Sequence, residues 1–193
     1  MKREILKLGK LSPPADPRRE ELDADNERIL TAEEAVDIVF IGDSITEGWN
    51  VRQVFAGFGN VVNRGISGNA IHVIEKRFAA DVLQLKPRMA VIHGGVNDTF
   101  PFFETAEEDM PAAIEKAVDT FVRSYEAMFE ACRQAGQRVI ACTITPMAEF
   151  DGLTAQPCLT YDGLHPNDAG YARMDHVIRP ILTAALKPLP LKG

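Results

Sequence analysis

Residues 36–46 read VDIVFIGDSIT, and this stretch decides the fold. Its first six residues form a short apolar run rich in β-branched side chains, which is typical of a strand buried on both faces. The run stops at Gly42, where a turn into a helix is expected. A buried strand that passes directly into a helix predicts a βα unit, from which parallel sheets are built.

Three further apolar runs follow along the chain, and residues with helical spacing lie between and after them. The predicted strands cover residues 60–63, 89–93 and 138–144. The predicted helices cover residues 20–30, 70–85, 111–135 and 167–186, the last of them kinked near Pro180. Because strands alternate with helices, we predict an α/β fold, a three-layer α/β/α arrangement around a flavodoxin-like, mostly parallel sheet of four to five strands.

Two of these helices carry further expectations. The helix over residues 111–135 has an apolar stripe that we assign to the core. The stripe consists of Ile114, Val118, Phe121, Tyr125, Met128 and Cys132. The charges of the helix over residues 20–30 are expected to face water, and the basic pair Arg18 and Arg19, next to two glutamates, indicates a solvated surface.

The composition indicates one ordinary globular domain and argues against several classes of function. With 193 residues the chain can bury a sizeable core. Its 21 Lys and Arg against 28 Asp and Glu give a formal net charge of −7, which argues against a nucleic-acid partner. No segment approaches the ~20 apolar residues of a membrane span, and the N-terminal region lacks an apolar run of signal-peptide length. We therefore expect a cytoplasmic protein with no membrane partner.

The cysteines and most of the histidines are given structural interpretations. The cysteines are Cys132, Cys142 and Cys158. Their odd number and the lack of a C-x-x-C pair indicate neither a disulfide framework nor a zinc site. Three of the histidines, His72, His93 and His176, have no acidic partner in a constrained loop. Of these, His93 at a strand end is a candidate to line a pocket.

A serine follows the first strand in the segment GDSIT, residues 42–46. At the N-terminus of a helix, unpaired N–H groups and the helix dipole favour developing negative charge. Ser44 is therefore a candidate nucleophile whose own backbone N–H can serve an oxyanion. A serine that only caps the helix is the alternative interpretation of the same residue.

Two more polar segments follow predicted strands, NRGISG at residues 63–68 and GGVND at residues 94–98. The glycines of the first segment allow a tight turn that exposes a backbone N–H. In the second segment, Asn97 can offer side-chain N–H groups to an oxyanion. Plain strand-to-helix loops are the alternative for both. Because ligands bind at the carboxyl ends of parallel strands, we expect these segments to lie together at one ligand site.

An acid and a histidine lie three residues apart in DGLHP, residues 162–166. The intervening glycine lets the loop curl so that the Asp162 carboxylate meets the imidazole of His165. Such a pair fixes the tautomer of the histidine and stabilises its imidazolium form. A metal site would need a third ligand that the spacing does not supply, and a surface turn is the remaining alternative.

Taken in order, these four segments resemble the hallmark blocks of the GDSL/SGNH hydrolase superfamily. The resemblance covers residues 36–186, and the stretches FIGDSITEGW and DGLHPNDAGY are similar to bacterial platelet-activating-factor-acetylhydrolase-like esterases. It implies one hydrolase domain over residues 31–193, preceded by an N-terminal arm and helix over residues 1–30. The implied activity is that of a serine ester hydrolase. Short-chain, acetyl-type esters are the expected substrates, because no long apolar lid segment is evident in the sequence.

The resemblance also implies a role for each site residue. Ser44 would be the nucleophile and His165 the base, with Asp162 orienting the base. The backbone N–H groups of Ser44 and Gly68, together with the side chain of Asn97, would form the oxyanion hole. No cofactor and no metal are implied, and the expected partner is a small-molecule ester.

The segment between Pro146 and Asp162 departs from the family pattern, because relatives insert a helix and a fifth strand there. Its 15 residues are too few for both. We expect irregular chain over residues 147–161, at most a short edge strand near residues 158–160, and strand 138–144 at or next to an edge that a second subunit can cover. A less constrained catalytic loop would lower the activity and leave His165 beyond hydrogen-bond reach of Ser44.

Other functions fit the same residues. A non-catalytic α/β binding domain, or a relative weakened by the shortened segment, would show little or no ester turnover. An acyltransferase would use the same triad with an alcohol acceptor in place of water. A measurement of ester turnover would distinguish a hydrolase from a binding domain or a weakened relative. Product analysis would distinguish a hydrolase from an acyltransferase.

Overall fold

The structure, a computed structural model, describes residues 5–7, 16–144 and 159–186. The chain divides into two compact units, residues 1–144 and residues 145–193. The four strands and the first five helices lie in the first unit, and the last helix lies in the second.

A parallel sheet forms the centre of the first unit. Its strands are β1 (Ile38–Gly42), β2 (Val61–Gly65), β3 (Met89–His93) and β4 (Arg138–Ala141). They pair in the order β2-β1-β3-β4, which is the flavodoxin-like order, and β1 and β3 are buried along their whole length. The predicted parallel sheet is confirmed. Strand β2 extends further than the predicted range of 60–63 because Arg64 and Gly65 also pair with β1.

The described residues form six α-helices. They are α1 (Asp16–Thr31), α2 (Ser44–Gly48), α3 (Val51–Val54), α4 (Ile71–Asp81), α5 (Met110–Ala135) and α6 (Asp168–Leu186). Helix α4 ends earlier than the predicted range of 70–85, because the chain turns at Val82 and continues as a short 3-10 helix over Leu83–Leu85. Helix α6 runs through Pro180.

Helices cover both faces of the sheet in the first unit, which confirms the three-layer arrangement. On one face a buried cluster joins α1, α4 and α5 to the strands, with side chains such as Ile29, Phe78 and Met128 in its core. On the other face Phe40 of β1 stacks on Phe55 with ring centroids 5.2 Å apart. Trp49 packs edge-on against Phe40 at 5.3 Å.

Helix α5 is much longer than the strands beneath it. Its 26 residues span about 39 Å at ~1.5 Å per residue, whereas a five-residue strand spans about 17 Å. The buried residues of α5 begin at Ser124, while Ile114 is 45% exposed and Val118 is 53% exposed. The predicted core stripe was therefore wrong for Ile114 and Val118, because the N-terminal half of α5 extends beyond the sheet. We call residues 110–120 the overhang; they precede Phe121, which packs against the core cluster.

Helix α1 packs through charged side chains, contrary to the sequence prediction. Arg19 is only 2% exposed, and both of its terminal nitrogens lie 2.7 Å from the carboxylate of Asp81. Asn26 is also buried and donates to the Ala80 carbonyl and to Asp81. The prediction of a solvated pair was wrong for Arg19, because a buried carboxylate 62 residues away in α4 accepts its hydrogen bonds.

Most of the shortened segment lies outside the described residues, so the prediction of irregular chain over 147–161 is tested only at its end. There Thr160 forms an isolated antiparallel bridge with Pro166 rather than a strand. Within the described ranges β4 is an edge strand, and its coverage by a second subunit stays a prediction. In the same ranges no helix combines the length and the apolar character needed to span a membrane.

Candidate active site

Three loops that carry predicted site residues begin at the same edge of the sheet, at the carboxyl ends of neighbouring strands. Gly42 pairs with Gly65 of β2 and with His93 of β3, so the carboxyl ends of these strands lie side by side. Neighbouring strands in a sheet are about 4.8 Å apart. The loops that lead to Ser44, Gly68 and Asn97 therefore start at adjacent points on the same edge, as the sequence predicted for a ligand site.

Ser44 is the first residue of α2 and is not its cap. The N-cap is Asp43, whose Oδ1 accepts a hydrogen bond of 3.0 Å from the Ile45 N–H. The alternative in which Ser44 serves only as a capping residue is thus wrong. Gly42 lets the end of β3 and the Thr46 side chain of α2 approach closely, because a Cβ at this position would lie 1.9 Å from the carbonyl oxygen of His93. Ser44 is half-buried, and it lies where the dipole of a helix favours negative charge.

The turn at residues 67–68 is held against α2 by a carboxylate. Oε2 of Glu47 accepts hydrogen bonds of 2.7 Å from both the N–H and the hydroxyl of Ser67. Gly68 follows with φ +76°, a left-handed conformation that favours glycine. A Cβ built on Gly68 would meet no described atom within 4 Å, so this side of the turn is open.

Asn97 lies in a short 3-10 helix, Val96–Asp98, directly after the two glycines that follow β3. Its Nδ2 donates to the carbonyl oxygen of Asn69 at 3.1 Å. An amide nitrogen carries two hydrogens, so this bond orients the side chain and uses one of them. Next to it, Oδ2 of Asp98 accepts a hydrogen bond of 2.9 Å from the Ile71 N–H, which ties the loop to the start of α4.

The second unit contains the acid and histidine pair. Oδ2 of Asp162 lies 2.7 Å from Nδ1 of His165, and Oδ1 accepts hydrogen bonds from the N–H groups of Leu164 and His165. The bond to the His165 side chain is the main reason that the pKa of Asp162 is lowered to about 2. Because Nδ1 is engaged by the carboxylate, Nε2 is the nitrogen of His165 that can act as a base.

The remaining histidines do not resemble bases. His93 is 4% exposed, and burial lowers its pKa to about 4, so it is neutral at ordinary pH. It lies in the sheet below the loops rather than on an open surface. His72 and His176 are exposed on α4 and α6. In the ranges that the structure describes, no three His, Cys, Asp or Glu side chains are grouped so that they could hold a metal ion.

Two side chains that organise these loops were missed by sequence reasoning. Glu47 lies three residues after Ser44, so the i, i+3 spacing on α2 could have indicated a side chain on the same face. Arg77 is fully buried and donates to the carbonyl oxygens of Gly42 and Arg64. No sequence signal indicated this contact, because arginine in a predicted helix is usually solvated.

Comparison with known proteins decides the family. The profile described as the GDSL-like Lipase/Acylhydrolase family matches residues 40–158, more than half of the chain. The chain belongs to this family. The superfamily resemblance predicted from the four segments is thereby confirmed. In this GDSL-like chain α1 precedes the matched region and provides buried partners for it.

Several relatives share parts of this GDSL-like chain. It is 32% identical over 114 residues to an acetylxylan esterase from Geobacillus stearothermophilus. That match covers 47% of this chain and 49% of the relative, so the chain spans about half the length of the curated relative it matches.

Solved structures with lower sequence identity share the fold. A protein from Streptococcus pneumonia assigned as a platelet activating factor superimposes with a TM-score of 0.63 at 20% identity, covering 84% of this chain and 92% of that chain. An acetyl xylan esterase superimposes with a TM-score of 0.60 at 20% identity, covering 76% and 99%. A GDSL-like lipase from Bacteroides thetaiotaomicron gives 0.53 at 23% identity, covering 84% and 99%. At this identity the likeness shows the fold alone.

Proposed function

We propose that the chain is a serine ester hydrolase that cleaves short-chain, acetyl-type esters through an acyl-enzyme on Ser44. The observation that carries the proposal is the position of Ser44 at the start of α2, on the edge from which the loops of Gly68 and Asn97 also leave. Membership of a family of lipases and acylhydrolases supports it, because these enzymes share the cleavage of acyl bonds.

In the first step Oγ of Ser44 attacks the ester carbonyl carbon while Nε2 of His165 takes the hydroxyl proton. The carbonyl oxygen becomes an oxyanion, which the N–H groups of Ser44, Gly68 and Asn97 stabilise. The tetrahedral intermediate then expels the alcohol, which takes the proton from His165. The 2.7 Å bond between Asp162 and Nδ1 supports this role, since it favours the imidazolium that forms transiently.

In the second step water attacks the acyl-enzyme. His165 takes a proton from the water, the same three donors hold the second oxyanion, and Ser44 leaves with the proton that His165 returns. The products are a carboxylic acid and the regenerated serine. No step uses a metal or an organic cofactor.

An acetyl group on a carbohydrate hydroxyl is the proposed substrate class. The support is the 32% identity over 114 residues to an acetylxylan esterase. We expect p-nitrophenyl acetate to be turned over faster than the octanoate, and acetylated xylo-oligosaccharides to release acetate. A preference for long acyl chains would contradict the short-chain part of the proposal. If added alcohols capture most of the acetyl group in competition with water, the enzyme is an acyltransferase.

Replacement of Ser44 tests the nucleophile. Ser44→Ala should abolish p-nitrophenyl acetate hydrolysis without changing the unfolding transition, and a fluorophosphonate probe should label the peptide that contains Ser44. Ser124→Ala is the matched control, because the Ser124 hydroxyl is bonded to Glu75 between α4 and α5. Labelling at another residue, or full activity in Ser44→Ala, would overturn the assignment.

A further inference from the structure

The guanidinium of Arg77 lies beneath the edge where the site loops begin. It belongs to α4 and is 0% exposed. Nη2 donates to the carbonyl oxygen of Gly42 at 2.5 Å, and Nη1 donates to that of Arg64 at 2.7 Å. Nε donates to Oδ1 of Asn69 at 2.8 Å. One side chain is therefore bonded to the end of β1, to the end of β2 and to the residue that follows Gly68.

The loop that carries Asn97 is connected to the guanidinium of Arg77 through Asn69. The side chain of Asn69 accepts from Arg77, and its backbone carbonyl accepts from Nδ2 of Asn97 at 3.1 Å. Asn69 is itself only 2% exposed. Arg77 is thus linked, directly or through one residue, to each segment that carries a proposed oxyanion donor.

The charge of Arg77 is balanced by Asp81, one helical turn further along α4. The two groups are 2.8 Å apart, and Asp81 also accepts from Arg19 and Asn26 of α1. Transfer of a guanidinium from water into the protein interior is costly, and a buried ion pair is often no more stabilising than apolar side chains of the same volume. A gain in stability alone therefore does not explain why an arginine occupies this buried position. Its planar fork suits the fixing of several acceptors at once.

We propose that Arg77 is a positioning residue for the oxyanion hole. It holds the carbonyl ends of β1 and β2 and the Asn69 side chain in one arrangement, so that the N–H groups of Ser44, Gly68 and Asn97 converge. This proposal rests on the proposed ester hydrolysis at Ser44. It assigns to Arg77 no contact with the substrate.

The test compares Arg77 with an equally buried arginine of the same network. Arg77→Ala and Arg77→Lys remove the fork, whereas Arg19→Ala removes a guanidinium that also binds Asp81 but touches no site loop. We expect Arg77→Ala to lower kcat for p-nitrophenyl acetate by roughly 10²-fold with KM nearly unchanged, which is the size of effect that a small misplacement of reacting groups produces. Arg19→Ala should lower the melting temperature and leave kcat unchanged.

Two further readouts separate positioning from general stability. The affinity for a trifluoromethyl ketone, which forms a tetrahedral oxyanion on the serine, should weaken in Arg77→Ala by the same factor as kcat. Added guanidinium ion should restore part of the kcat of Arg77→Ala and none in Arg77→Lys, where no cavity is left. Equal losses of kcat in the Arg19 and Arg77 variants, or unchanged kcat in both Arg77 variants, would overturn the proposal.

Hydrogen exchange keeps the test independent of activity. Amides of residues 43–45 and 66–69 should exchange faster in Arg77→Lys than in the unsubstituted protein, and Arg19→Ala should leave them unchanged. If the unsubstituted protein hydrolyses no ester, the proposed function fails, and this exchange pattern still decides whether Arg77 positions the loops. If Arg77→Ala does not fold, Arg77→Lys, which keeps a charge beside Asp81, supplies the kinetic and exchange results.

Discussion

Asn97 illustrates how one side chain can be fixed in position and still act on the substrate. Its amide is oriented by the Asn69 carbonyl, and a donor in such a position acts mainly on charge that forms in the transition state. Asn97→Ala should therefore lower kcat by roughly 10²–10³-fold with little change in KM. Steady-state kinetics with p-nitrophenyl acetate measure both constants.

The control for this substitution is Asn50→Ala. The Asn50 amide is exposed and donates to Gln53 in α3, and it has no hydrogen bond to Ser67, Gly68, Asn69 or Asn97. Its kinetic constants should match those of the unsubstituted protein. An effect of Asn97→Ala on KM alone would assign Asn97 to substrate binding instead of to the oxyanion hole.

The pH dependence of the rate follows from the Asp162 and His165 pair. The folded-state pKa of Asp162, about 2, lies below the ordinary value of 3.8, so the carboxylate is ionised throughout the assay range. The stabilisation from this pairing is complete above about pH 4 and is lost as the pH falls through about 2. A histidine base must be neutral to accept the Ser44 proton, so the rate should rise once with pH across the range of about 5 to 8 in which histidines gain or lose charge.

Measurement of kcat/KM from about pH 5 to pH 8 checks this expectation. Glu126→Gln, which removes one negative charge at an exposed position of α5, should leave the profile unchanged. A flat profile would argue against a histidine base.

At the scale of single residues, the sequence indicated the candidate catalytic residues. It did not indicate the buried residues that hold the site loops in place. Ser44, Asn97 and the pair Asp162 and His165 stand in motifs whose order carries information. Arg77 and Asp81 have the i, i+4 spacing of an ordinary surface ion pair, so nothing in the sequence shows that both are buried. Their burial depends on contacts with α1 and with strand ends, which are distant in sequence.

The overhang of α5 predicts an uneven distribution of stability along one helix. Met128 is 1% exposed in the core, and truncating such a side chain costs about 2–5 kcal/mol. Val118 is 53% exposed, and substitution at a surface position changes stability by less than about 0.5 kcal/mol. Urea unfolding of Met128→Ala and Val118→Ala should therefore give very different free energies of unfolding. A cost above about 1 kcal/mol for Val118→Ala would show that the overhang is covered.

At the scale of helices and strands, hydrophobic periodicity predicted most elements. It did not predict correctly which of their apolar side chains are buried. The β-branched runs located all four strands to within a few residues, because buried strands need such side chains. The stripe on α5 also has real helical spacing, but periodicity reports which residues share a face and not how far the neighbouring sheet extends. Helix α2 was expected only from the turn after Gly42 and without bounds, and α3 was not predicted, since four or five residues contain too little periodicity.

At the scale of the whole molecule, the sequence predicted the parallel sheet and its order because crossovers between strands and helices allow few alternatives. The division at residue 144 was not predicted. The prediction that the shortened segment lowers activity, and that His165 lies beyond hydrogen-bond reach of Ser44 without ligand, stays a prediction.

The docking of α1 through charged groups has a consequence for the order of folding during synthesis. Arg19 precedes its partner Asp81 by 62 residues, and at about 5–20 residues per second a ribosome needs roughly 3–12 s to make that interval. A helix of 16 residues with few apolar side chains is marginal by itself in water. Helix α1 therefore settles late, after β1, β2 and α4 have formed the surface that receives it, and during those seconds its residues are open to proteases and chaperones.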